Sequence, residues 1–174
     1  MEGIQTVANL MALSARTAPK AAGQDYVVIE ILKGKDVQRL GEEMIAYGQE
    51  NKKTNFDRDG ENVLHSEAVV LIGLKDAETL GLNCAACGDE VCIVPNTTDG
   101  EFQGPQCALR ILDMGIALGS AVKMASLMNI DNRIMYRAGV VARKIGLIDA
   151  DFVMGIPLSA TGKSPYYDRA PKPS

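Results

Sequence analysis

Tryptophan is absent from the sequence, and the 174 residues include only five tyrosines, three phenylalanines and one histidine. Flat aromatic surfaces on which bases or sugars could stack are therefore scarce. Basic residues are also fewer than acidic ones, at 18 against 22, so the formal net charge is −4. A nucleic-acid-binding domain usually has a strongly basic face, and this charge balance argues against one.

A secretory signal and an uninterrupted apolar span are also missing. The N-terminus carries no basic segment, and the apolar run Ala8 to Leu13 is too short for a signal peptide. The longest apolar stretch, Ile111 to Ile130, is interrupted by Asp113 and Lys123, which makes it a poor membrane span. The sequence therefore predicts a cytoplasmic protein, and its length suits one domain, residues 1–174, with a sizeable core.

All four cysteines lie in one stretch, from residue 83 to residue 107, with the spacing C-x2-C-x4-C-x14-C. They are Cys84, Cys87, Cys92 and Cys107. Thiolates grouped in this way are typical ligands of zinc or of iron–sulfur centres. Gly88 follows the second cysteine, where a close backbone approach or a positive φ is often required. Cys107 opens a long apolar run, and if that run is a helix, its positive N-terminal end faces the thiolates.

Spacing alone leaves three interpretations of the cysteines open. Disulfides need an oxidising compartment, and nothing in the sequence signals one. Free or buried thiols would rarely all fall in one loop by chance. A metal centre is the third interpretation, and zinc sites usually show two C-x2-C knuckles or added histidine. The second half of this pattern has no knuckle and His65 is distant in sequence, so iron–sulfur is favoured over zinc.

The motif N-C-A-A-C-G-D-E-V-C, with G-P-Q-C later, resembles the C-x2-C-G-x3-C…C pattern of a small 4Fe–4S domain. That domain occurs in corrinoid iron–sulfur proteins and in electron-transport complex subunits. The segment from Cys107 to Arg169 contains D-M-G-I-A-L-G-S-A-V-K, R-A-G-V-V-A-R and G-I-P-L-S-A-T-G-K-S-P-Y-Y-D-R. Together these motifs resemble a family of bacterial and archaeal ferredoxin-domain proteins. The resemblance implies a 4Fe–4S cluster held by the four cysteines.

Hydrophobic periodicity predicts the order helix, strand, helix, strand, cysteine loop, two helices, strand and tail. Helices are expected at 3–14, 36–47, 109–128 and 131–145, with Asp36 and Asp131 as N-caps, and strands at 26–32, 68–74 and 151–156. Residues 51–62 are predicted to be a polar surface turn, 75–79 a short turn of helical character, and 157–174 an extended tail. Three or four strands covered by helices make an α+β fold.

The frame around the cysteine loop resembles the FMN-dependent nitroreductase family. In that family, a segment A-P-S-x-x-N-x-Q-P-W lies along the flavin. The similar segment here is A-R-T-A-P-K-A-A-G-Q-D-Y, which runs into the predicted strand Y-V-V-I-E-I-L. The helix at 109–128 is rich in small residues, as a central core helix or half of a dimer interface would be, and it resembles the family's dimer helix. G-I-P-L and the following basic residues resemble its terminal G-Y-P segment. The resemblance implies a three-layer fold, a homodimer, and FMN contacts at Arg16, Lys20, Lys163 and Arg169.

Two departures from the nitroreductase pattern bear on flavin binding. The family's early R-R-S-x-R phosphate segment is missing, and Gly23 and Asp25 stand where asparagine and proline are expected. These departures leave two alternatives open, a bound FMN or a retained fold that has lost flavin binding. The predicted function is electron transfer through a 4Fe–4S cluster, with FMN as an optional second cofactor and a redox protein or a small molecule as acceptor. The alternative is a non-enzymatic binding or sensing module whose zinc or cluster is structural. No catalytic residue is assigned.

Overall fold

The structure, a computed structural model, describes residues 2–167. Its helices are α1 (Glu2–Thr17), α2 (Lys35–Glu50), α3 (Phe56–Leu64), α4 (Ala108–Leu127) and α5 (Tyr136–Lys144), with a 3₁₀ turn at Ala21–Gly23. Its strands are β1 (Val27–Lys33), β2 (Ala68–Leu74), β3 (Thr98–Asp99), β4 (Gln103–Gly104), β5 (Asp131–Asn132) and β6 (Phe152–Ser159). None of the helices within residues 2–167 is long and apolar enough to cross a membrane.

A four-stranded antiparallel sheet with the order β1-β2-β6-β5 forms the middle layer. All seven residues of β2 are buried, which explains why this strand reads as an uninterrupted apolar run. Helices α1 and α4 pack on one face of the sheet, and α2, α3 and α5 pack on the other. The predicted three-layer α+β fold is confirmed, and β2 has its predicted bounds.

The predicted polar turn at 51–62 is wrong, because this stretch contains most of helix α3. The buried side of α3 consists of Phe56, Asp59, Gly60 and Val63. A Cβ atom on Gly60 would lie 2.8 Å from the carbonyl oxygen of Gly41 in α2, so the glycine allows the two helices to pack closely. The helix therefore depends on a tertiary contact that its mostly polar sequence, with three large apolar residues, does not reveal.

Three other local predictions are wrong. Asp36 lies inside the first turn of α2, and the residue before that helix is Gly34, which has a φ of 54°. Asp131 pairs with β6 as part of β5, and α5 begins only at Tyr136. Residues 75–79 contain no helix. Asp36 and Asp131 are residue types that often cap helices, and 75–79 is a polar stretch of the kind that can form a helical turn. Sequence pattern alone did not show that Asp131 pairs with β6 or that 75–79 belongs to the cysteine loop.

The last strand continues beyond the predicted bound at residue 156, through Pro157 to Ser159. Its pairing with β5 ends at Asn132 opposite Leu158, and a further bridge joins Met135 to Gly155. Pro157 lies in the interval between these contacts, where its ring nitrogen has no hydrogen to donate. The predicted extended tail is therefore wrong for residues 157–159, which belong to β6, and residues 161–167 form bends and a turn around the buried Tyr166. Residues 168–174 lie outside the described residues.

Candidate metal centre

The cysteine loop, defined as residues 75–107, joins the end of β2 to the start of α4. Its base is held by Asp151, which is 2% exposed and lies just before β6. The Asp151 carboxylate accepts hydrogen bonds from the N–H of Asp76 (2.6 Å) and from Nδ2 of Asn96 (2.9 Å). The Asp151 carbonyl accepts a third from the N–H of Gln103 (2.9 Å). One buried residue therefore ties the start, middle and second half of the loop to the sheet.

The second half of the loop also docks on the helices through the β3–β4 hairpin, which sequence reasoning missed. Arg143 of α5 donates to Asp99 (2.8 Å), and Lys53 forms an ion pair with Glu101. The ring of Phe102 lies 4.4 Å from that of Phe152. These contacts position residues 98–104 without involving any cysteine.

We expect Asp151→Ala to loosen this half of the loop. The substitution leaves a backbone N–H and a side-chain amide without their buried acceptor, so the free energy of local opening should fall by about 2–3 kcal/mol. Hydrogen exchange of residues 96–103 measures this opening. Asp149→Ala is the matched control, because the Asp149 side chain is 88% exposed and is ion-paired with Lys75. Equal exchange rates in both variants would show that Asp151 does not hold the loop.

All four cysteines line the same small cavity, together with Ala85, Ile93 and neighbouring residues. Cys84 and Cys87 are exposed, Cys92 is half-buried, and Cys107 is 8% exposed. Within residues 2–167, however, no three cysteine, histidine or acidic side chains lie close enough to bind one metal ion. The thiols thus share one cavity without converging on a single point.

The tip of the loop has a turn conformation that few residue types adopt. Gly88 has a φ of 101°, which confirms the positive φ predicted there, and Asn83 and Ala85 also have positive φ values. The N–H of Cys92 donates to Oδ1 of Asn83 (3.0 Å), and the N–H of Asn83 faces Sγ of Cys92 at 3.4 Å. This reciprocal contact brings the first and third cysteine segments together.

Cys107 is the residue immediately before α4, so its thiol lies at the N-terminal end of that helix, as predicted. Burial by itself would raise the pKa of the Cys107 thiol. The backbone N–H groups of Leu80, Arg110 and Leu109, with the charge of Arg110, outweigh burial and lower this pKa below its ordinary value. The site therefore favours a thiolate at position 107, which is the form that binds metals.

Arg110, one turn into α4, is a site residue that sequence reasoning missed. Its side chain is fully buried, and it donates to the carbonyl oxygens of Glu78 (2.9 Å) and Ala21 (3.0 Å) and pairs with Asp113 (3.3 Å). The guanidinium also hydrogen-bonds to Gln24. The sequence signal that could have revealed Arg110 is its spacing from Asp113, since two opposite charges three residues apart within an apolar helix indicate a buried ion pair.

The structure places the predicted flavin contacts at two ends of the sheet. Arg16 donates to Asp25 (2.7 Å), and the Lys20 ammonium binds carbonyl oxygens at the end of α1, including that of Ala18 (2.9 Å). These residues lie beside the start of β1, whereas Lys163 follows the end of β6. The strand register places the start of β1 and the end of β6 at opposite ends of the strands. Arg169 lies outside the described residues.

Helix α4 has an exposed stripe on the side facing away from the sheet. Its members recur with helical spacing and are mostly apolar or small: Leu112, Gly115, Ile116, Gly119, Lys123 and Leu127. Leu112 and Leu127 are 56% and 66% exposed. The small-residue helix therefore contributes to the core on one side and presents an apolar surface on the other.

Solved structures place this fold among the nitroreductases. An FMN-dependent nitroreductase from Mycobacterium smegmatis, in complex with NADPH, matches with a TM-score of 0.60 and 13% identity, over 91% of this chain and 78% of the other. A nitroreductase with bound FMN from Desulfitobacterium hafniense matches with a TM-score of 0.59 and 14% identity, over 97% of this chain and 85% of that one. Identities this low establish the fold alone. The fold is nitroreductase-like, as the sequence predicted.

Sequence comparison defines the family. Residues 103–169 match the family described as "Uncharacterized protein containing a ferredoxin domain (DUF2148)". A protein of Archaeoglobus fulgidus described as "Uncharacterized protein" is 51% identical over 174 residues, covering 98% of this chain and 94% of the relative. The chain belongs to this family of ferredoxin-domain proteins, which confirms the predicted family. The matched segment includes Cys107, while the other three cysteines precede it.

Proposed function

We propose that the protein transfers electrons through a 4Fe–4S cluster bound by Cys84, Cys87, Cys92 and Cys107. The observation that carries this proposal is the single cavity lined by all four thiols beside the N-terminus of α4. A bound cluster supplies one-electron chemistry, and the protein sets its environment. Membership of a family containing a ferredoxin domain supports a redox role.

The spacing of the cysteines favours a cluster over a single zinc ion, because the pattern has no second C-x2-C knuckle. Zinc holds four sulfur atoms about 2.3 Å from one point, which brings all four thiols close together. A 4Fe–4S cluster binds each thiolate at a different iron atom, so its ligands are spread around a larger body. The shared cavity gives all four thiolates of this chain one place in which to bind such a body. The N-terminal end of α4 adds favourable positive potential for an anionic cluster.

We further propose FMN as a second cofactor, located between two copies of the chain. The fold is shared with nitroreductases that bind FMN, and a flavin can accept two electrons and release them singly. Because Arg16 and Lys20 lie at the opposite end of the strands from Lys163, a flavin that contacts both sets needs residues from two chains. The exposed stripe of α4 supplies an apolar surface for such a homodimer.

The test of the cluster is a visible spectrum with iron, sulfide and zinc analysis on anaerobically purified protein. We expect a broad visible absorbance that bleaches on reduction, with about four irons per chain. Additional structured flavin bands would support the FMN proposal. A colourless protein with one zinc per chain would overturn the electron-transfer function and favour a structural module.

The proposed homodimer gives a separate prediction. Ile116→Asp places a charge in the middle of the α4 stripe, where burial against a second copy would leave it unpaired. We expect sedimentation velocity to show a dimer for the unaltered protein and a monomer for this variant. Glu43→Gln, on the exposed side of α2, is the control and should remain dimeric. An unaltered protein that sediments as a monomer would contradict the prediction.

A further inference from the structure

The cysteine loop concentrates the negative charge of the protein. Residues 75–107 contain six of the 22 acidic residues but one of the 18 basic residues, so the loop carries −5 while the remaining chain carries +1. Asp99 and Glu101 are held in ion pairs. Asp89 and Glu90, between the second and third cysteines, are exposed and form no ion pair or side-chain hydrogen bond with other residues in 2–167. These two carboxylates are therefore free to act on a molecule that approaches the thiols.

Apolar side chains project from the same part of the loop. Val94 and Val91 are the most exposed large apolar residues described, at 72% and 69%, and Leu82 is 62% exposed. The hydrogen bonds between Asn83 and Cys92 hold the segments that carry Leu82 and Val91 beside each other. We call Leu82, Val91 and Val94 the loop patch.

The combination of an apolar patch and unpaired charges has the composition of an interface. Single exposed apolar residues are ordinary, but a group of them rimmed by charge marks a contact surface. Leu82 and Val91 flank the two exposed cysteines, Cys84 and Cys87, in the sequence, so a partner bound to the loop patch lies next to the proposed cluster. Nothing in the packing of the sheet requires these aliphatic side chains to be exposed there.

We propose that the loop patch, with Asp89 and Glu90, is the docking surface for a basic redox protein. This inference rests on the proposed electron-transfer function. In the step it serves, the reduced cluster loses one electron and the oxidised metal or flavin centre of the partner gains it, and no covalent bond forms or breaks. Opposite charges speed such encounters and orient them, while the apolar contact gives affinity.

Charge also argues against two other occupants of this surface. A second copy of the chain would bring its own loop, with the same −5 charge, against the first. An anionic membrane surface would be repelled in the same way. A partner with a basic surface and a few apolar residues is the one that complements both parts of the patch.

A binding experiment tests the surface without an activity assay. The cluster-loaded protein is titrated with zinc-substituted cytochrome c, a small basic protein that cannot exchange electrons in its ground state. Titration calorimetry at low and high salt gives the affinity and its salt dependence. The variants are Asp89→Asn with Glu90→Gln, which removes charge, and Val91→Ser with Val94→Ser, which removes apolar surface. The control is Glu42→Gln with Glu43→Gln, two exposed acidic residues on α2.

We expect the charge variant to weaken binding about 10-fold at low salt and to reduce its salt dependence. The apolar variant should weaken binding with the salt dependence preserved, and the control should bind within about two-fold of the unaltered protein. Equal losses in the control and in the charge variant, or no binding to cytochrome c at low salt, would overturn the docking proposal. So would sedimentation showing that Val91→Ser with Val94→Ser breaks a dimer, because a second copy would then cover the patch.

Failure of the docking surface is distinguishable from failure of the cluster. Each sample is reduced with a small neutral mediator and its visible absorbance is followed. If the absorbance bleaches reversibly but the loop variants bind cytochrome c as tightly as the unaltered protein, the docking surface is refuted. The proposed electron-transfer function is then unaffected. Absence of a reducible chromophore would remove the function on which the inference rests, even where cytochrome c binds the acidic loop.

Discussion

Cys107→Ser is expected to abolish cluster binding while leaving the fold of the apoprotein intact. Serine supplies a hydroxyl in place of a thiolate and is a poor ligand for iron, so bound iron should fall from about four per chain to near zero. Cys107 also precedes α4 as its N-cap, and no side-chain cap bond is present there. Serine is among the preferred N-cap residues, so the apoprotein should be unchanged or more stable by up to about 1 kcal/mol.

Two measurements on one sample separate these effects. Iron and sulfide analysis after anaerobic reconstitution reports the cluster, and thermal unfolding of the metal-free protein followed by circular dichroism reports the fold. Thr97→Ala, an exposed substitution in the same loop, is the control and should keep its iron. A Cys107→Ser protein that retains a full complement of iron would show that Cys107 is not a ligand.

Arg110→Met is expected to cause the largest loss of stability among the substitutions considered. The guanidinium is fully buried and serves Glu78, Ala21, Gln24 and Asp113 at once. Methionine fills a similar volume but removes the charged donor of both carbonyl oxygens and leaves the buried Asp113 carboxylate without its cationic partner. The cost of breaking a buried pair in this way is about 3–5 kcal/mol.

Urea unfolding of the metal-free protein measures this loss, with Lys123→Met on the exposed side of α4 as the control. The double variant Arg110→Met with Asp113→Leu should recover part of the loss, because it removes the uncompensated carboxylate as well. A single variant that unfolds within about 1 kcal/mol of the unaltered protein would contradict the structural role of Arg110.

The strands and helices of the layers could be predicted from the sequence where buried positions follow one another as a run of apolar residues. Ala68–Leu74 is apolar throughout because the strand is covered on both faces, so its bounds were predictable. Helix α3 was missed for the opposite reason: two of its four buried positions are Asp59 and Gly60. Their burial follows from neighbours such as Gly41 in α2, which no local pattern reports.

The candidate site divides in the same way. The cysteines were identifiable because thiol chemistry belongs to the residue type and their spacing is short. The residues that support them were not, since each acts over a long separation in sequence. Asp151 binds Asp76, 75 residues earlier, and Arg110 binds Ala21, 89 residues earlier. Only the folded sheet brings such pairs together.

The contacts of Asp151, Arg143 and Lys53 bear on how the proposed cluster would be assembled. They hold the second half of the loop without using any thiol, so protein contacts alone position the approach to Cys107. Within residues 2–167, the tip that carries Cys84 and Cys87 forms no ion pair or hydrogen bond with the sheet or the helices, and both cysteines are exposed. In the proposed site, Cys107 would therefore offer iron a positioned ligand, whereas Cys84 and Cys87 would be ordered by the cluster itself. An iron donor would then have to deliver the metal to the exposed tip from the solvent side.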